Sequence, residues 1–107
     1  MEKILITTTE SIAGREVAEV LGLVEGNTIQ TRHIGSHIVA ALKSLVGGEV
    51  KSYVIAITAA REQATTRMVD KARALGADAI ICARYSTSQI MDGGAEVLAY
   101  GTAVKLR

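Results

Sequence analysis

One stretch near the middle of the chain restricts the fold more than any other. From a start between Glu49 and Tyr53 to Leu75, the residues Val54, Ile57, Ala64, Met68, Ala72 and Leu75 share one helical face. Gly76 follows, suited to close a helix in the left-handed conformation. The flanking segments have a different grain. Lys3 to Thr9 ("KILITTT") is short and β-branched and predicts a first strand. Beyond Gly76, "DAIICARYS" and "EVLAYGTAVKL" predict two strands, with a hairpin signal at Asp92, Gly93 and Gly94 between them.

Two segments need arbitration. In "SIAGREVAEVLGLVEGNTIQTR", Val17, Val20, Leu21 and Val24 fit the helical template. Gly22, Gly26 and the β-branched residues oppose it, and a long strand with a bulge near Gly22 accommodates both glycines. In "GSHIVAALKSLVGG", Ser36 can N-cap a helix whose stripe is Ile38, Leu42, Leu45 and Val46, stopped by Gly47 and Gly48. The order strand, strand, helix, helix, strand, strand predicts one α+β domain over residues 1–107. Its two layers are a largely antiparallel sheet and two helices packed on one face.

The 107-residue chain has no Phe, Trp or Pro, and Tyr53, Tyr85 and Tyr100 are its aromatic residues, although 49% of it is apolar. A chain of this size buries roughly two-thirds of its unfolded surface, but aliphatic side chains bury less area each than aromatic rings. Pairing with copies of itself supplies the missing burial, so a homo-oligomer is expected. Ile55, which points away from the helical stripe, is a residue that an oligomer would cover. Arg61 falls inside the apolar arc and must either reach out along its methylene stem or pair with a buried acceptor.

Charge narrows the function classes. Twelve basic and eleven acidic residues are dispersed, for a net charge of +1; without a basic run, nucleic acid is not an expected partner. No segment has the length of a membrane span or a signal h-region, and a single cysteine fits a reducing compartment. A cytoplasmic location is expected.

Few residues suggest chemistry. Cys82 is either a small core residue or a soft ligand, and no CxxC or HxxxC spacing supports it. Period-two alternation would put Cys82 on one strand face with Ile80 and Arg84, and Ile81 and Ala83 on the other. His33 and His37 are four apart, but the intervening Gly35 and Ser36 place the helix start between them. The glycine-rich "LGLVEG" and "MDGGAE" lack a phosphate-loop pattern, and Ser11, Ser44, Ser86 and Ser88 lack a nucleophile elbow. An enzyme is not expected; one would need a pocket at a subunit boundary, using Arg61 and Tyr100.

Several separated motifs add a resemblance. "AYGTAV" (99–104), "LGADAI" (75–80), "LVGGE" (45–49), Tyr53, "AR" (60–61), "LGLVEG" (21–26) and the "TTT" opening together resemble the YbjQ-like family of uncharacterised proteins, sometimes labelled heavy-metal-binding. The resemblance implies a dodecin-subunit-like fold and a homopentameric ring, with strands joining across neighbours. It also makes a soft or heavy metal ion the implied ligand and Cys82 the candidate metal residue. Five copies of Cys82 meeting at a ring axis would build a multi-sulfur site, with Arg84 placed to favour the thiolate. No catalytic or cofactor-binding residue is implied. Two readings follow: a non-enzymatic homopentamer binding a metal ion or small ligand, and a structural or interaction scaffold without one.

Overall fold

The computed structural model describes residues 3–30, 50–91 and 94–107. Among these residues five elements run in order: β1 (Leu5–Ile6), β2 (Val17–Gln30), α1 (Val50–Ala74), β3 (Ala79–Met91) and β4 (Gly94–Leu106). The sheet order is β1-β3-β4-β2. β4 pairs antiparallel with β2 and β3, whereas β1 runs parallel to β3. The described residues form an α+β arrangement with one helix on a mixed sheet. The second expected helix, over 36–46, lies outside the described residues, as do His33, His37 and Ser44.

β2 is a strand despite its helical spacing. Its register against β4 shifts between Val17 and Glu19 and again between Val20 and Gly22. Gly22 sits at φ +126 with nothing near an added Cβ, so conformation and not crowding calls for glycine there. The shift lets Leu21 and Val24, three apart in sequence, contribute to one core. An interrupted period of two had imitated a helical period.

β1 is shorter than the expected strand over Lys3–Thr9. Its partner strand bulges just beyond Ile80, so the two cannot stay in register. The amide of Thr7 donates to the Ile80 carbonyl, and the amides of Ala83 and Cys82 then donate to the Thr7 and Thr9 carbonyls. The threonine hydroxyls support this turn: Thr9 Oγ1 donates to the Ser11 carbonyl at 2.6 Å, while Thr7 Oγ1 accepts from the Thr9 amide.

The main core lies between α1 and the sheet, and it is built of small residues. Ala60, Ala64, Met68 and Ala72 recur every four residues and are at most 3% exposed. They meet Val24, Ile80, Ala83, Val97, Ala99 and Ala103. Such a surface permits close approach of helix and strand backbones. At Gly26 an added Cβ would collide with the Ala64 carbonyl oxygen and the Met68 amide nitrogen. Val54 and Leu75, expected on the buried face, are instead 54% and 47% exposed. The buried row starts at Ala60, after Val54, and Leu75 falls in the closing turn. That turn is the expected one: Gly76 at φ +80, its amide donating to Arg73, and the Ala77 amide donating to Ala72.

A smaller core forms on the opposite face, where Ala79, Ile81 and Val104 pack with Ile12, Val17, Cys82 and Leu106. Elsewhere that face is open. Leu23, at 68% exposure, and Ile29, at 49%, stand on it.

Candidate functional site

The residue singled out from sequence sits at a backbone irregularity. Between the pairs Ile81–Thr102 and Arg84–Tyr100, β3 has two residues where β4 has only Gly101. Cys82 takes the bulge position at φ 55, a left-handed conformation more often given to glycine. Gly101 answers from the other strand, where a Cβ would press to within 2.6 Å of Ile80 Cγ2. The bulge overturns the alternation expected from sequence. Ile80 and Ala83 face α1, whereas Cys82 joins Ala79 and Ile81 on the far side. Cys82 is free and half-buried. No group of three His, Cys, Asp or Glu side chains able to hold a metal ion occurs among the described residues. Cys82 is therefore not part of a three-ligand set within one chain, among those residues.

Arg84, the expected thiolate partner, is held by backbone oxygens. Its Nη1 donates to the carbonyls of Thr8 and Ala83, each at 2.9 Å, tying the bulge to the N-terminal segment. Ser86 and Ser88 are exposed on the open face, opposite Leu98 and Glu96. On the same face Asn27 Nδ2 donates to Glu96 Oε2 at 3.0 Å.

The second group of polar residues lies on the helix side. α1 rests mainly over β2 and β4, which leaves an open cleft beside β3 of about 620 Å³. Thr58, Arg61, Glu62, Thr65, Thr66 and Tyr85 line it. Arg61 is exposed, so its charge is resolved by reaching out and not by a buried acceptor. Its Nη2 donates to Thr58 Oγ1 at 3.4 Å. Thr65 Oγ1 donates to the Arg61 carbonyl at 2.8 Å and lies 2.7 Å from the Tyr85 hydroxyl. A hydroxyl has one proton, so in that contact Tyr85 donates and Thr65 accepts. Tyr100, the tyrosine paired with Arg61 in the sequence reading, is on the other face, flanked by Glu25 and Arg84. Tyr85 takes its place. It pairs with Ala99, a residue of the helix-side core, and that pairing across the bulge is the signal that locates it.

A family model described as "Putative heavy-metal-binding" matches residues 4–107. The chain belongs to the YbjQ-like family. A UPF0145 protein of Archaeoglobus fulgidus is 55% identical over 108 residues, covering 100% of both chains. Another, from Halorubrum lacusprofundi, is 56% identical over 102 residues, covering 95% of this chain and 98% of its own. A solved structure from Pediococcus pentosaceus, a protein of unknown function, superposes with a TM-score of 0.66. At 21% identity over 99% of this chain and 100% of that one, it supports the YbjQ-like fold alone. The described helix is not long and apolar enough to cross a membrane.

Proposed function

We propose that this YbjQ-like protein is a non-enzymatic, self-associating module that binds a metal ion or small ligand as a ring of five identical chains in the cytoplasm. One observation carries the reading: the described chain is only half covered. On the helix side α1 meets β3 beyond the bulge through the Thr65–Tyr85 hydroxyl contact, and Val54, Ile55, Tyr85 and Ile90 are between 45% and 63% exposed. Two strand edges are also unpaired among the described residues, that of β2 and that of β3 beyond the bulge. Unpaired edges beside uncovered apolar side chains are templates for another strand. The number five comes from the family resemblance.

The metal reading rests on the family description and on Cys82. A non-glycine residue held at φ 55 stores strain that glycine would relieve, a pattern frequent at functional positions. With one thiol per chain, the ligand set has to be completed by neighbouring copies. Native mass spectrometry tests assembly and bound ion together, with a pentamer expected. Titration with Zn²⁺, Cu(I) and Cd²⁺ tests the site: Cys82→Ser should bind at least tenfold more weakly, and equal affinity removes the metal reading. A scaffold with no small-molecule ligand is the second reading. It is favoured by the open sheet face, where Leu23 and Ile29 remain uncovered.

A further inference from the structure

We propose that the cleft between α1 and β3 binds a phosphate group, free or carried as a monoester, with Arg61 as its cation. This deepens the ligand-binding half of the function proposed above by naming a ligand class; every group it uses belongs to one chain, at the border of the surface that a neighbouring copy would cover.

Charge is the first argument. Four of the five other described arginines reach stronger acceptors, Arg107 being the exception. Arg15 donates to the Arg107 carbonyl, Arg67 to the Asn27 carbonyl, Arg84 to the Thr8 carbonyl, and Arg73 lies 3.6 Å from the Asp70 carboxylate. Arg61 reaches only the neutral hydroxyl of Thr58, at the long end of hydrogen bonding. Most of its five N–H donors are left for a ligand, and the planar fork matches phosphate oxygens two at a time.

Hydroxyl accounting is the second. Tyr85 and Thr65 spend their protons in a relay that ends on the Arg61 carbonyl. That relay ties the cleft wall to its β3 side. Thr58 accepts from Arg61, so its own proton remains available, and the Thr66 hydroxyl lines the same cleft. A tetrahedral oxyanion can accept from a guanidinium and two hydroxyls at once. The cleft volume of about 620 Å³ leaves room for the group a phosphate esterifies.

Glu62 opposes the anion from the same cleft, and its effect has a definite sign. Removing that charge should tighten binding, while a cation ligand would be weakened by the same change.

The experiment is calorimetric titration of the full chain with inorganic phosphate and, in a second arm, glycerol phosphate, at matched ionic strength. Saturable binding is expected in at least one arm, and the arm that binds more tightly distinguishes a free anion from an esterified one. Arg61→Gln should weaken it at least tenfold, Arg61→Lys less, and Glu62→Gln should tighten it about threefold. Arg61 is exposed, so these variants keep the parent's thermal midpoint. No saturable binding in either arm, or unchanged affinity in Arg61→Gln, overturns the proposal. So does dissociation of an oligomer by Arg61→Gln, which would assign the guanidinium to a subunit contact. Native mass read on the same samples separates such a failure from failure of the assembly.

Discussion

Gly26 of β2 lies directly beneath Met68 of α1, so that a Cβ on the glycine would fall onto the Met68 amide nitrogen and the Ala64 carbonyl oxygen. Both are backbone atoms inside a helix, and neither can move aside alone. Gly26→Ala should therefore cost about 2–3 kcal/mol, the upper part of the range for overpacking. Gly22→Ala meets no atom within 4 Å and carries only the conformational cost at φ +126, about 1–2 kcal/mol. Urea denaturation of the two variants should rank them in that order. A mild Gly26→Ala would mean that α1 does not approach β2 so closely.

The bulge at Cys82 makes an unusual prediction for a half-buried residue. Cys82→Gly loses side-chain contacts but relieves left-handed strain of about 1–2 kcal/mol. The two nearly offset, and stability should stay within about 1 kcal/mol of the parent. Cys82→Val, β-branched at the same φ, should lose about 2 kcal/mol or more. Denaturant midpoints decide it; equal stability of the two variants would contradict the positive φ.

Thr28 is 8% exposed, and its Oγ1 has no hydrogen-bond partner. An unsatisfied buried hydroxyl costs roughly 1–3 kcal/mol, and valine has nearly the same shape. Thr28→Val should raise the thermal midpoint or leave it unchanged. A fall equivalent to more than about 1 kcal/mol would reveal a partner for that hydroxyl.

Ile55 separates a lone chain from an assembled one. At 63% exposure, Ile55→Lys should scarcely change the stability of a monomer, within about 0.5 kcal/mol. In the proposed ring it would bury a charge against a neighbour. Sedimentation should then show smaller species for the variant at concentrations where the parent stays assembled.

The parts legible in sequence are those fixed by neighbours along the chain. The span of α1 and its Gly76 closure follow from helical spacing and from a backbone conformation that glycine adopts without strain. The long β2 strand with its Gly22 bulge, and the β3–β4 hairpin, follow from β-branched runs broken by glycine. Composition also set the character of the core, because a chain without Phe or Trp must pack aliphatic residues.

Tertiary structure decided what depends on atoms distant in sequence. The parallel pairing of β1 with β3 depends on the N-terminal segment reaching Cys82 and Ala83. The buried row of α1 is chosen by what lies beneath it: Gly26 admits alanines and Met68, while Val54 remains outside. The far-side placement of Cys82 and the meeting of Tyr85 with Thr65 both hang on one extra residue in β3 opposite Gly101. Side-chain direction along a strand has a period of two, so one inserted residue reverses every later assignment. Local preference registers that a strand exists; only pairing with its neighbour fixes which way its side chains point.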